Sequence, residues 1–495
     1  MLYTLYLECK RLQQLSVGQL GLRTLVNWVF VFRAAKMASG KKALLLGAGF
    51  VCPPAVQALS EAGVQVNVAC RDVATAQAIA GKHPNASAIS LDASDSAALD
   101  NAIAGVDIVI SLIPYTLHAA VVKVAIAHRK PVVTTSYISP ALWELDAEAK
   151  AANVTVLNEI GLDPGIDHLY AVKTIDEVHR AGGRITSFTS YCGAIPAPEN
   201  SDNPLGYKFS WSPRGGLLAL LNPGQWYEDD KIATVAGKDL MANSKPHHIF
   251  PGFNFVGYPN RDAVSLREFY KIPETKTVFR GTLRYAGFPE IIRVLVEIGY
   301  FSQDALPLLA PGNADTPPTW AQLTAHLLGL PASSTEADLQ SAVASKASFL
   351  SAEEITRVVS GLRWIGLFST STTVERRGSP LDTLCAVLES KMTYGAGERD
   401  MIILQHIFDV ERADGRKEKL SSTLVEYGEP VGPGHRSAMA KLVGLPCAVG
   451  VLAVLEGKIT RKGMVAPWST PEIASSLRGE LKARFDIKLQ ERVVE

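Results

Sequence analysis

Residues 42–63, KALLLGAGFVCPPAVQALSEAG, decide how the rest of the chain is read. Residues 43–46 form an apolar run of strand length, Gly47-Ala48-Gly49 makes a glycine turn, and Ala55, Val56, Leu59 and Ala62 recur at helical spacing up to Gly63. Strand, tight turn and helix in that order open a dinucleotide-binding fold. Gly47 allows the turn, and Gly49 lets backbone N–H groups approach a pyrophosphate lying on the helix N-terminus. Cys52 stands where the third glycine of the motif would be, and Pro53-Pro54 enter the first helical turn, where proline is tolerated best.

Working outward, a second strand over 64–70 ends at Arg71, 24 residues past Gly47, near where an acidic residue would hold an NAD ribose. A guanidinium there suits the 2′-phosphate of NADP, with Asp72 beside it; a solvated loop arginine is the alternative. Further strands are expected over 87–91, 107–113, 131–135 and 154–159, separated by helical stretches such as 118–128. This alternation implies an α/β fold with a parallel, doubly wound sheet. Ligands bind beyond the carboxyl ends of such strands, which nominates Asp92, Ile113, Pro114, Tyr115, Thr135, Ser136, Tyr137 and residues 161–164. Asp92 as a turn cap and Pro114 as a strand terminator remain open readings.

The chain has 495 residues, enough for roughly three domains at about 150 residues each. With 47% hydrophobic and 20% charged residues it is globular, not disordered. Lys plus Arg equal Asp plus Glu at 49 each, so no global field draws the chain to nucleic acid or to a membrane surface. Cys9, Cys52, Cys70, Cys192, Cys385 and Cys447 form no CxxC pair, which argues for a reducing compartment and against a disulfide scaffold or a zinc site. His247-His248 lacks the spacing of a metal motif, and no metal is expected. Residues 1–36 are basic and acid-poor, with a run over 25–32 that is short of the ~20 apolar residues a membrane span needs. Either they form a mitochondrial leader or translation starts at Met37; both readings leave them outside the folded core.

Beyond residue 160, a strand over 185–191 and a hairpin of 401–411 with 419–427 around Asp414-Gly415 are expected to share a mixed sheet. Residues 289–392 carry helical periodicity, apart from a Pro-, Gly- and Ala-rich surface loop over 305–318, and read as an all-helical insertion. The apolar segment 439–455 reads as a helix interrupted at 444–446, and a helix over 471–485 closes the chain. The expected organisation is an extension (1–36), a dinucleotide-binding domain (37–160) to which residues 435–495 return, a mixed α/β domain (161–288 and 393–434) and a helical domain (289–392). Three arginine-bearing segments, 207–216, 258–262 and 280–285, stand out because arginine presents paired planar donors that suit carboxylates. Brought together near a dinucleotide, they would hold a substrate with several acid groups; internal ion pairs are the alternative. Cys192, in a loop, reads as a small buried residue.

From Lys41 onward the chain resembles the saccharopine reductases, the NADP-dependent, L-glutamate-forming saccharopine dehydrogenases of the fungal lysine pathway. The resemblance is carried by LLLGAGFV (44–51), VISLIPY (109–115), SYISPA (136–141), NEIGLDPGIDHLYAVKTIDEVHR (158–180), DNPLGYKFSWS (202–212) and RGTLRYAGFP (280–289). It implies a Rossmann-like domain, a mixed α/β domain that holds substrate and supports a homodimer, and a helical domain. It implies NADP(H) on Gly49, Phe50, Val51, Cys70, Arg71, Asp72, Asp92, Ala93, Ile113, Thr135, Ser136, Leu162, Asp163 and Pro164. It implies saccharopine on Ser136, Tyr137, Asp163, Arg261, Thr282, Leu283 and Arg284, with Tyr137 and Asp163 as candidates for proton transfer. The implied reaction joins L-glutamate to 2-aminoadipate 6-semialdehyde as an imine and reduces it to saccharopine. A cytoplasmic location is expected, or a mitochondrial one if residues 1–36 act as a leader. Another imine-reducing relative, such as a polyamine-forming enzyme, is the rival reading, but cationic polyamines would call for acid-lined rather than arginine-lined substrate loops. An idle NADP-binding scaffold is the other.

Overall fold

The structure, a computed structural model, describes residues 38–494, so the expectations for residues 1–36 lie outside the described residues. Strands β1 (Lys42–Leu46), β2 (Gln65–Cys70), β3 (Ala86–Ser90), β4 (Ile108–Ser111), β5 (Val132–Thr134) and β6 (Thr155–Leu157) alternate with helices that include Cys52–Glu61, Val73–Ala80, Ser96–Ala104 and His118–Ala127. All pair in parallel, in the order β6-β5-β4-β1-β2-β3. Leu44, Leu45, Ile108, Val109 and Ile110 are fully buried because helices cover both faces of the sheet. The strand order reverses between β1 and β4, which opens a crevice at their carboxyl ends.

The second sheet begins with β7 (Arg184–Pro196), much longer than the strand expected over 185–191. Its length carries Cys192 in a strand, not in a loop. Strands β8 (Gly224–Glu228), β9 (Lys231–Val235), β10 (Lys245–His247), β11 (Phe255–Pro259), β12 (Thr277–Tyr285), β13 (Asp400–Glu411) and β14 (Lys417–Tyr427) follow. Two strands come from the end of the chain: β15 (Gly463–Val465) extends the first sheet beside β6, and β16 (Gln490–Val493) edges the second beside β14. The second sheet runs β10-β11-β12-β7-β13-β14-β16 and is mixed, because β12 lies parallel to β7 while its other pairings are antiparallel. Side chains alternate in direction along a strand. On one face Phe188, Ile402, Leu404 and Phe408 join the core shared with the first sheet. On the other, Ile195, Leu283, Met401 and Ile403 pack on a set of helices, Phe288–Glu297, Trp320–Leu328, Glu336–Lys346, Ala352–Ile365 and Pro380–Lys391.

The helix Ala438–Leu455 corrects the interruption expected at 444–446: it runs unbroken with Pro446 inside it. Gly444 lets it approach the helix Cys52–Glu61 so closely that a Cβ there would lie 2.6 Å from the Val51 carbonyl oxygen. Burial of thirteen of its residues outweighs the backbone hydrogen bond lost at Pro446. Among the described residues it is the one helix long and apolar enough to cross a membrane, yet it lies within the protein core.

Candidate active site

The nucleotide end of the crevice is built from the turn after β1. Gly47 has φ +112, and a Cβ on it would meet the Leu112 carbonyl oxygen at 2.7 Å, so the turn requires glycine. Nothing lies within 4 Å of a Cβ at Gly49, which leaves that side open to a ligand. The helix Cys52–Glu61 starts here with two prolines that lack N–H groups. The Cys52 N–H is spent on the Gly49 carbonyl at 3.1 Å, so the donors left facing an anion are those of Phe50 and Val51. Burial pushes the Cys52 thiol up to about 12, and the backbone bond to Gly49 only partly opposes this. Phe50 is 72% exposed at the mouth of the crevice. These residues fit a dinucleotide pyrophosphate.

Beyond β2, Cys70 is half-buried, and Arg71 is exposed and makes no ion pair among the described residues. Asp72 and Asp92 are largely committed to local bonds. Asp72 caps the helix Val73–Ala80 by accepting from the Ala74 N–H and the Thr75 hydroxyl, which hold its pKa down. Asp92, with Ala93 next to it, accepts from the Ser94 N–H and hydroxyl at 2.9 and 2.7 Å. Those bonds, and the Arg71 charge to a lesser degree, lower its pKa. Arg71 is thus a cation, without an ion pair among the described residues, of the kind that suits a 2′-phosphate. Ile113, Thr135 and Ser136 are half-buried at the ends of β4 and β5. The Ser136 hydroxyl lies 3.0 Å from His118 Nε2, whose Nδ1 is 2.7 Å from the Ser111 hydroxyl. Burial lowers the His118 pKa to about 4, so it is neutral at physiological pH.

The chemical end is built from three elements. After β6, residues 161–165 make a tight turn in which the Gly161 N–H donates to the Pro164 carbonyl at 2.9 Å. Gly165 has φ +149, and a Cβ there would collide with Gly161. Leu162 and Pro164 are buried in the turn, which presents Asp163. After β5, Tyr137 places its hydroxyl 3.3 Å from Asp163 Oδ1. From β12, the buried Arg280 contacts both the Tyr137 hydroxyl and the Asp163 carboxylate, with its guanidinium carbon 4.9 Å from the Tyr137 ring centre. Burial, then the neighbouring Asp167 carboxylate, pushes the Asp163 pKa well above the usual carboxylate range, and the His168 charge only partly opposes this. Burial lowers Arg280 to about 10, which leaves it charged at neutral pH. Cys192 on β7 also bonds Asp163, and burial holds its thiol protonated.

Arg280, Thr282 and Arg284 share one face of β12 by strand alternation. Arg284 is 8% exposed and lies among the rings of Tyr207, Phe288 and Tyr258, at 4.7, 5.4 and 5.9 Å. Its one side-chain hydrogen bond goes to the Leu283 carbonyl, and no carboxylate pairs with it among the described residues. Arg261 is exposed, with φ +53, in the loop after β11. Asn260 in that loop donates its N–H to the Arg280 carbonyl at 2.8 Å, which sets Arg261 alongside this strand. Leu283, which the resemblance also places at saccharopine, offers a ligand on that face its backbone rather than its side chain. Strand alternation turns its side chain to the opposite face, where it is fully buried among Ile195, Met401 and Ile403. Arg280 lies in the arginine-bearing segment 280–285 but was given no site role of its own, although the alternation in Arg280-Gly-Thr-Leu-Arg284 carries the signal.

Residues 43–157 match the family described as saccharopine dehydrogenase NADP binding domain, and residues 161–487 match saccharopine dehydrogenase C-terminal domain. The chain is 52% identical to a saccharopine dehydrogenase [NADP(+), L-glutamate-forming] of Pyricularia oryzae, over 92% of this chain and 99% of that one. It is also 52% identical to the enzyme of the same name from Saccharomyces cerevisiae, over 92% of this chain and 100% of that one. Among solved structures, apo saccharopine dehydrogenase (L-Glu forming) from Saccharomyces cerevisiae superposes with a TM-score of 0.84 at 51% identity, covering 92% of this chain and 100% of that one.

Proposed function

The chain belongs to the saccharopine dehydrogenase family, and from that premise we propose that it joins L-glutamate to 2-aminoadipate 6-semialdehyde, with NADPH as reductant, to give saccharopine in lysine biosynthesis. The glutamate nitrogen attacks the aldehyde carbon, the carbinolamine loses water, and hydride adds to the imine carbon. NADPH supplies that hydride. The residues around the crevice do the remaining work. Phe50 and Val51 would present N–H groups to the pyrophosphate, and Arg71 would meet the 2′-phosphate. Tyr137 and Asp163 lie in hydrogen-bond contact, so a proton can pass between the amine, the departing hydroxyl and this pair. Arg280 contacts both members and keeps the pair oriented.

The observation that carries this reading is Arg284. It is a buried guanidinium without a carboxylate of its own, on the strand face that also presents Arg280 and Thr282. Such a charge is costly unless an anion reaches it, and saccharopine brings three carboxylates. Arg261 receives a second. We further propose a homodimer in the cytoplasm, a reading supported by the free thiols Cys52, Cys70, Cys192, Cys385 and Cys447 and by the family expectation for the dimer. The test follows NADPH and NADH oxidation by the wild type and by Arg71→Ala, with L-glutamate and the semialdehyde supplied. Turnover with NADPH is expected, with Arg71→Ala weakening NADPH selectively, because NADH lacks the phosphate. Absence of turnover would sink the assignment, and equal losses with both cofactors would remove Arg71 from the phosphate site.

A further inference from the structure

Glu159, just before the Asp163 turn, is a buried non-glycine residue held at φ +59. A conformation of this kind persists only where its surroundings over-determine it, and the surroundings here are specific. Glu159 Oε1 accepts the N–H of Ile138, the residue after Tyr137, at 3.0 Å. Glu159 Oε2 accepts the indole N–H of Trp468 at 2.8 Å and lies 2.9 Å from His168 Nε2. His168 is 2% exposed, and its Nδ1 lies 2.6 Å from the Tyr270 hydroxyl. Tyr270 ends the short helix Ser265–Phe269 that follows the Arg261 loop, and Phe269 stacks on Trp468 with ring centres 4.2 Å apart. One carboxylate and one imidazole therefore join the Tyr137 loop, the Asp163 turn, the Arg261 segment and the C-terminal return. Glu159, His168 and Tyr270 are all buried.

We propose that Glu159, His168 and Tyr270 form a positioning relay that locks the Tyr137 and Asp163 loops of the nucleotide-binding half to the Arg261 segment of the substrate-binding half. Hydride donor and imine carbon then meet in register. The inference rests on the saccharopine-forming reading. The groups facing His168 are Glu159, Asp167 with Oδ2 3.9 Å from Nδ1, Tyr270, Asp163 and, from β13, His406, which Arg280 of β12 also faces. Burial opposes a charged imidazole, but the Asp167 and Glu159 carboxylates outweigh it and raise the His168 pKa to about 9. His406 stays neutral, because burial drops it to about 3. The relay is thus charged at neutral pH and loses its cation as pH rises through about 9. The stabilisation that goes with it is complete below the ordinary histidine value near 6.5 and declines between there and about 9.

The experiment uses the full chain and its Tyr270→Phe and His168→Gln variants, measuring kcat, the Michaelis constants, NADPH affinity and melting temperature from pH 6 to 10. Tyr270→Phe removes a single hydroxyl and is the variant best placed to keep its fold. Both variants are expected to lose about tenfold in kcat, the scale of one charge-assisted bond, with NADPH affinity within about twofold. The wild type should show a falling limb in kcat near pH 9 that His168→Gln lacks. Unchanged kcat in Tyr270→Phe with the limb retained in His168→Gln would overturn the relay. So would a parallel fall of kcat, NADPH affinity and melting temperature in both variants, which is the signature of a role in folding alone. A wild type without turnover would instead overturn the functional reading on which the relay rests, and the relay with it.

Discussion

Arg280 and Arg284 lie four residues apart on one face of one strand, yet their surroundings assign them opposite energetics. Arg280 has an acidic partner in place in Asp163, whereas Arg284, among the described residues, has only aromatic faces and one carbonyl. Removing one partner of a buried ion pair strands the other charge, while removing an unpaired buried charge relieves the fold. Arg284→Met is therefore expected to keep or raise the melting temperature. It should also raise the Michaelis constants for glutamate and saccharopine by roughly tenfold to a hundredfold, from the ~1.5–3 kcal/mol of a charge-assisted bond. Arg280→Met should lower kcat and the melting temperature together, since Asp163 loses its cation. Differential scanning fluorimetry beside steady-state kinetics checks both. A lower melting temperature in Arg284→Met, with unchanged substrate constants, would mean that the arginine serves the fold.

At the scale of elements, Gly444 shows how a distant segment enters the cofactor site. The helix Ala438–Leu455 touches the first turn of Cys52–Glu61, and a Cβ at Gly444 would also lie 3.1 Å from the Ala55 nitrogen. Gly444→Ala is expected to cost about 1–3 kcal/mol of stability through overpacking. It should weaken NADPH binding as well, because the backbone that must yield carries the pyrophosphate donors; thermal melts and NADPH titration by fluorescence measure the two effects. This contact was hidden in the sequence, where glycine and proline at 444–446 read as a break and long-range packing overrode local propensity. Strands β1 to β6 were legible to within a few residues, because alternating apolar runs and helical repeats are local signals. Strands β15 and β16 were not, since three or four residues that owe their conformation to a partner hundreds of positions away leave no period to read. Tyr137 and Asp163, which the fold brings into contact, stood out as candidates through the runs of matched residues. Arg280, Glu159 and His168 were missed because burial, pairing and a positive φ appear only once the elements are assembled.

For the whole molecule, the decisive feature is the route of the C-terminus, which closes both sheets. Residues after Gly457 supply β15, Trp468 and the helix Pro471–Phe485 to the first sheet and to the Glu159 cluster, and then β16 to the edge of the second. These contributions are unequal. The first part buries Val465, Ile473, Leu477 and Leu481, and at ~1.5–3 kcal/mol for each large apolar side chain this amounts to roughly 6–12 kcal/mol, comparable with a domain's whole stability. Every residue of β16 is exposed, by contrast, and its removal uncovers only an edge. A chain ending at Gly457 should therefore give no cooperative unfolding transition and no NADPH binding, because β6 becomes an unpaired edge and Glu159 loses its indole donor. A chain ending at Leu489 should keep both, with glutamate-dependent NADPH oxidation within a few-fold of the full chain. Urea unfolding followed by circular dichroism separates the outcomes. If the shorter chain folds and binds NADPH, the first sheet stands without its seventh strand, and the C-terminal return serves only the alignment of Glu159 with Trp468.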